Sequence, residues 1–442
     1  MTTAPRGLAG PAAALGPARP EADRFAEILR PRVMGPRLAD ALGGRVRTCH
    51  VLDAKYEPGV RATVLYEHDG AWVRGDLVAE GDVGVGRALV VAPGLRISVF
   101  PEDPDLPRLP RVMDPAHLGP ALADALRGTA LPDAPHGVRC RTAPIRYRPG
   151  RRVTLRVDLV GAAGAAGAYV AKVYHDARKA AAVVAEAPAL AEHAGTCDVL
   201  RIPATVAHLP ADGVVVQAAV AGRPLEALLG RSLATPGGVA AATEATVRTA
   251  RALADLHRMP PDTGRARSAD AEVERFAHRA LGVAGADPRT GAALVRLADR
   301  LRTAREQVPG AVPGTVHGDF KPSQVLLGRR HVLLMDLDHL AVADQAMDVG
   351  TFLASLRQLP LRSSGADPCR LGEVLPVLRA AFLASYLEAR GCEVSPARIG
   401  WQEAVALERK ALRAWARAPG SPVALVLAGE AEACLDGLTE TP

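Results

Sequence analysis

Aromatic residues are scarce: Trp, Tyr and Phe together make up 3% of the 442 residues. The interior therefore has to be built from Ala, Leu and Val, and the 48% hydrophobic content is enough for a large core. The formal charge is +6 and the pI about 9.2. The arginines are scattered and not interleaved with aromatics, which excludes a stacking surface for bases, so no nucleic-acid partner is expected. No run of eighteen apolar residues occurs, which rules out a membrane-spanning helix and a membrane partner. The six cysteines, at 49, 140, 197, 369, 392 and 434, form no C-x-x-C pair and lack zinc-ligand spacing. A reduced, cytoplasmic protein is the expectation. Residues 1–20 lack a continuous apolar stretch of signal length and read as a flexible tail. A strict G-x-G-x-x-G is also missing. The run from Gly161 to Gly167 follows the second strand of a hairpin and reads as its flexible tip, not as a phosphate cradle.

What is present begins with an internal echo. Lys55 to Val64 and Arg146 to Leu155 share Tyr, Pro, Gly, Arg and Thr at the same offsets. Each copy predicts strand, tight Pro-Gly turn, strand. Duplication and a shared hairpin preference are the two readings of that match. After the second copy, Ala168 to Tyr174 predicts an apolar strand interrupted only by Lys172, and Asp176 to about His193 predicts a helix. The first copy has Trp72-Val73-Arg74-Gly75 where the lysine strand would fall.

The chemistry concentrates further on. His317-Gly318-Asp319-Phe320-Lys321-Pro322-Ser323-Gln324 is followed by an apolar run, a turn at Gly328 to Arg330, and a second run ending Met335-Asp336-Leu337-Asp338. An Asp five residues before an amide, with another Asp a dozen residues beyond it, suits phosphoryl transfer. One carboxylate faces an acceptor hydroxyl, while an amide oxygen and a second carboxylate supply ligands to a divalent ion. Asp338 reads either as a further site residue or as a solvated strand end. Asp348 reads as the N-cap of a helix starting there, and Asp344 as part of the connecting loop.

This pattern resembles the aminoglycoside phosphotransferase and choline kinase superfamily, relatives of the protein kinases, whose motif is H-G-D-x-x-x-x-N and then a strand ending in I-D. The departure is Gln324 in place of Asn. The resemblance implies an α+β, protein-kinase-like bilobal fold with a small antiparallel β lobe and a mostly helical large lobe. An additional N-terminal α+β region would precede them. The expected divisions are an accessory region at 21–135, a small lobe at 136–225 and a large lobe at 226–442. The implied cofactors are ATP and Mg²⁺. Asp319 would be the catalytic base, and Gln324 and Asp336 the metal ligands. Lys172 would bind the α/β-phosphates, held by Glu186 or, less well spaced, Glu192. Arg151 would sit at the phosphate-facing turn 148–152, and the adenine would meet backbone groups between Gln217 and Ala219. His317 would brace the loop, and Asp348 would bind its backbone. The implied reaction moves the γ-phosphoryl group to a hydroxyl of a small molecule of aminoglycoside, sugar or amino-alcohol type. A Ser/Thr kinase acting on a peptide is one alternative, and a pseudokinase scaffold, motivated by Gln324, is another. An aminoglycoside pocket needs carboxylates for the cationic amines, and Glu373, Glu388, Glu393, Glu403 and Glu408 on the late helices are the available set.

Overall fold

The structure is a computed structural model, which describes residues 18–45, 47–78, 89–126, 139–160, 166–234, 238–260, 264–361, 368–391 and 393–439. The tail 1–17, most of the Gly161 to Gly167 run, and Cys392 lie outside the described residues.

The chain opens with helices α1 (Ala18–Ile28) and α2 (Pro31–Leu42), then strands β1 (Cys49–Glu57), β2 (Arg61–His68), β3 (Ala71–Leu77), β4 (Leu89–Ala92) and β5 (Leu95–Val99). Helices α3 (Leu109–Met113) and α4 (Pro115–Ala125) lead to a second sheet. That sheet contains β6 (Arg139–Arg148), β7 (Arg152–Val160), β8 (Ala166–Tyr174), β10 (Thr205–Leu209) and β11 (Val214–Ala218), with α5 (Ala177–Thr196) and the short β9 (Leu200–Arg201) inserted after β8. The two sheets have the same antiparallel order, β1-β2-β3-β5-β4 and β6-β7-β8-β11-β10. Their first hairpins match in register as well. Tyr56 faces Ala62 and Tyr147 faces Val153, while Glu57 faces Arg61 and Arg148 faces Arg152. Both turn glycines, Gly59 and Gly150, sit at φ 68°, a conformation that only glycine adopts freely. Thr63 and Thr154 occupy equivalent places. Thr154 is opposite Lys172, but Thr63 is opposite Asp76, to which its hydroxyl donates at 2.6 Å. The echo in the sequence is thus a repeated sheet in which the lysine position holds the opposite charge.

The large lobe begins at β12 (Arg223–Pro224) and α6 (Leu225–Ala234). It continues through α7 (Gly238–His257), α8 (Ala269–Ala286), α9 (Pro288–Gln307), β13 (Pro313–Val316), β14 (Val325–Leu327), β15 (Val332–Leu334) and β16 (Ala341–Asp344), and closes with α10 (Ala346–Gln358), α11 (Pro368–Arg390), α12 (Pro396–Arg417) and α13 (Val423–Thr439). Local chemistry sets these ends. Asp176 caps α5 by accepting from Arg178 N at 2.9 Å, and Ser268 and Asp287 cap α8 and α9 in the same way. One expectation needs correcting. Asp348 is not an N-cap, because α10 already starts at Ala346, whose N–H goes to Asp344.

The result is an α+β, bilobal, protein-kinase-like fold with an additional N-terminal sheet. The few aromatics sit at its seams. Phe25 stacks on Tyr56 with ring centroids 4.9 Å apart, and Tyr56 meets Trp415 of α12 at 5.3 Å. One apolar core therefore joins the first sheet to α8, α9, α12 and α13. A second core joins Leu65, Leu106, Leu109, Val112 and α4 to the inner face of β6, β7, β8 and β11.

Candidate functional site

The hairpin β14–β15 builds the acidic end of the site. Its register sets Val325 opposite Leu334, and Met335 N donates to Gln324 O at 2.9 Å, so Gln324 and Asp336 emerge side by side. A 3₁₀ turn over Pro322–Gln324 fixes the approach. The Gln324 amide donates to Asp336 Oδ2 at 3.2 Å. Asp336 takes the left-handed backbone, φ 61° and ψ 48°. For a residue with a side chain this costs on the order of 1–3 kcal/mol and marks a position that the surroundings over-determine.

Preceding it, β13 pairs with β16 and delivers His317 to Asp319. Gly318 sits at φ 78°, and a Cβ there would lie 2.3 Å from His339 O, so both conformation and space demand glycine. Fully buried Asp348 accepts from His317 N at 2.6 Å and Gly318 N at 2.9 Å, while His257 Nε2 lies 3.2 Å from it. His317 Nε2 donates to Met335 O at 2.9 Å, tying the loop to the Asp336 strand. Lys321 takes an extended backbone, which puts it on the side of the chain occupied by Asp319, and their side chains pair.

From the small lobe, β7 and β8 contribute one face. Alternation buries Val153, Leu155 and Val157 in the core and leaves Arg152, Thr154 and Lys172 toward the large lobe. Lys172 Nζ reaches Asp336 at 3.1 Å and Asp338 at 2.8 Å. Arg152 grips Asp336 with two nitrogens, at 2.8 and 3.1 Å, and also pairs with Asp338. Burial would raise the Asp336 pKa, but Lys172 and Arg152 hold it well below the usual carboxylate range. Burial lowers the Lys172 ammonium to about 8 against the pull of Asp336. Burial would also raise Asp319, yet Lys321, Arg409 and Arg413 keep it ionised.

Three expectations change here. Lys172 pairs with Asp336 and Asp338, whereas Glu186 is held by Arg265 at 2.5 Å, and the same Arg265 donates to Asp338 O at 2.8 Å. Arginine displaces lysine because its fork reaches the helix and the loop together. Arg151 is exposed, and Arg152 is the buried arginine of the turn. Asp338 is 1% exposed and ion-paired, so it is not a solvated strand end. In the segment expected to meet the adenine, Ala219 N–H is already given to Ala168 O at 3.0 Å, and Gln217 lies in the ladder opposite Val170. Val220 is the next residue along, and its N–H enters no backbone hydrogen bond among the described residues.

Sequence alone assigns no role to Arg152, Arg265, Lys321 or His257. A signal existed for Arg152, since the arginine that recurs in the internal echo is Arg61/Arg152 and not Arg151.

Two carboxylates and an amide side chain within reach of one another form a hard-oxygen set that suits Mg²⁺. No cluster of three or more His, Cys, Asp or Glu able to hold a metal occurs among the described residues, so other ligands would have to complete the shell.

The family model for the phosphotransferase enzyme family matches residues 156–394, more than half of the chain. The chain belongs to the phosphotransferase enzyme family. It is an enzyme that transfers a phosphoryl group to a hydroxyl. The match begins within β7, just past Arg152, and ends before α12. Similar solved structures include a glucosamine kinase in complex with glucosamine, ADP and inorganic phosphate (17% identity, 93% of this chain and 98% of that one covered, TM-score 0.47). A choline/ethanolamine kinase family protein from Mesorhizobium loti is also similar (17%, 68% and 89%, TM-score 0.41). So is a macrolide 2'-phosphotransferase from Brachybacterium faecium (18%, 73% and 99%, TM-score 0.41). No curated protein sequence matches the chain. No helix among the described residues is long and apolar enough to cross a membrane.

Proposed function

We propose that this family member moves the γ-phosphoryl group of ATP to a hydroxyl of a small molecule. The observation that carries the reading is the convergence of Lys172, Arg152, Asp336 and Gln324 beside the loop that bears Asp319. Lys172 and Arg152 leave their carboxylates in part to hold the nucleotide's phosphates, because a phosphate offers both cations a stronger, multiply charged partner. Asp336 and Gln324, with Asp338 beside them, hold Mg²⁺, which when bound neutralises charge on the transferring group. Asp319, already ionised, accepts a hydrogen bond from the acceptor hydroxyl and orients it for in-line attack. Its depressed pKa suits it to positioning and late proton acceptance more than to early abstraction. Lys321 balances the charge that builds up next to it. Val220 supplies the backbone donor for the purine.

The test is Asp319→Asn, with turnover and nucleotide binding measured side by side. Transfer is expected to fall by about 10²–10⁴-fold with ATP affinity kept within a few-fold. Undiminished transfer would remove Asp319 from the reaction.

A further inference from the structure

The turn that carries Asp336 and Asp338 needs a support that the nucleotide does not displace. Asp336 stands in the left-handed region, and the cations that grip it and Asp338 by their side chains are Lys172 and Arg152. Those are the two cations that turn to the phosphates in the proposed reaction. A strained backbone position persists only while its surroundings hold it. Arg265 supplies a hold of another kind. Its Nη1 donates to the main-chain oxygen of Asp338 at 2.8 Å, inside the 3₁₀ turn Leu337–His339. The rest of its guanidinium is taken by Glu186 of α5, with Nε at 3.2 Å and Nη2 at 2.5 Å from the two carboxylate oxygens. This fork-to-fork pair fixes the guanidinium plane and so the direction in which Nη1 points. The Glu186 side chain is 9% exposed, which shelters the pair from water.

Arg265 belongs to a stretch of chain that is itself anchored. Arg265 O accepts from Val342 N at 2.7 Å, and Arg267 N donates to Val342 O at 3.0 Å, so the stretch lies alongside β16. Arg267, two residues on, also reaches inward. It donates to Gly318 O, the carbonyl just before Asp319, at 2.6 Å, and pairs with buried Glu272. One short segment thus touches α5, the turn after Asp336 and the loop that bears Asp319. Apolar packing does not do this work between α5 and the turn. A cavity of about 430 Å³ lies where they face each other, lined among others by Glu186, Leu190, Ile202, Leu337 and Asp338. Close packing joins neighbouring elements elsewhere in a protein interior, so here the polar tie through Arg265 takes its place.

We infer that Arg265 is a positioning residue for the divalent ion: held by Glu186, it pins the Asp338 carbonyl and so keeps Asp336 aimed at the metal while Lys172 and Arg152 are given over to the phosphates. This rests on the phosphotransferase reading and adds to it a residue that touches neither nucleotide nor acceptor.

The full chain is titrated calorimetrically with a non-hydrolysable ATP analogue, once with excess Mg²⁺ and once with a chelator and no metal. The natural protein is expected to bind the Mg²⁺-loaded analogue more tightly. Arg265→Gln should weaken that binding about tenfold and leave the metal-free affinity within about twofold, because Lys172 and Arg152 are untouched. Glu186→Gln should do the same, and the double variant should be no worse than either single one, since both remove one support. Arg357→Gln, on α10, removes another half-buried arginine with two carboxylate partners, Glu403 at 2.7 Å and Glu430 at 2.6 Å, and should leave both affinities unchanged. Equal weakening with and without Mg²⁺, no weakening, additive effects of Arg265→Gln and Glu186→Gln, or an equal loss in Arg357→Gln would overturn the inference. If Arg265→Gln does not fold, Glu186→Gln, which keeps the shape of its side chain, decides the point alone. A natural protein that binds the analogue no better with Mg²⁺ than without it would sink the metal reading of Asp336 and Gln324, and the inference with it.

Discussion

Arg151 and Arg152 are neighbours with opposite fates, and the difference is one step of strand alternation. Arg151 ends the turn and faces solvent, whereas Arg152 starts β7 on the face shared with Thr154 and Lys172. A charge-assisted bond to phosphate is worth roughly 1.5–3 kcal/mol. Arg152→Ala should therefore raise the ATP KM by about 10–100-fold, and Arg151→Ala should change it less than threefold. Steady-state kinetics of the two variants decide the point, and equal effects would contradict the assignment. The Asp336 backbone belongs to the same scale. Its left-handed conformation aims the carboxylate at β7 and β8 instead of back along its own strand.

At the scale of elements, the turn between β6 and β7 is held from outside its own sheet. Asp103, in the connector after β5, accepts from Tyr147 Oη at 2.7 Å and Gly150 N at 2.8 Å with one oxygen. Its other oxygen takes Arg74 Nη1 at 2.6 Å and Asp105 N at 2.9 Å. The accessory sheet thus fixes the turn that would face the phosphates. Removing the charge from a buried, multiply bonded carboxylate is expected to cost about 3–5 kcal/mol of stability. Asp103→Asn should also raise the nucleotide KM more than it lowers kcat. Chemical denaturation and kinetics read both, and an unchanged KM would leave Asp103 a merely structural anchor.

Much of this scale was legible in the sequence. The motif spacing located the hairpin β14–β15, because a 3₁₀ turn and a short strand pair leave little freedom between Gln324 and Asp336. The start of α5 followed from Asp176, which caps it. What escaped were contacts that depend on three-dimensional partnering. Asp344, for instance, reads as a loop residue but binds Arg398 at 2.7 Å and Gln402 at 2.6 Å across to α12. The exchange of Glu186 from lysine to arginine escaped for the same reason, since Arg265 lies in a loop with no helical or strand period to announce its direction.

At the scale of the whole molecule, one buried acid sets a pH dependence. Glu408 on α12 is fully buried, neither of its side-chain oxygens has a hydrogen-bond partner among the described residues, and burial pushes its carboxyl up to about 8. The folded state therefore keeps a proton that the unfolded chain releases near 4.5, the ordinary value for a glutamate. Stability from this group falls as pH rises through that window, by up to about 1.4 kcal/mol per pH unit. Glu408→Gln, which cannot ionise, should gain on the natural protein by a few kcal/mol between pH 5 and pH 8. Urea unfolding at the two pH values measures it, and a pH-independent difference would refute the assignment.

The first sheet lies against both lobes at once, with Tyr56 and Phe25 seated on the helices and Leu65 and Trp72 set against the second sheet. A kinase whose lobes meet only at a hinge can yawn freely, but this one is buckled on a second side. Parting the lobes would slide two greasy seams simultaneously, so the two halves are tied along a flank as well as at the strand that connects them.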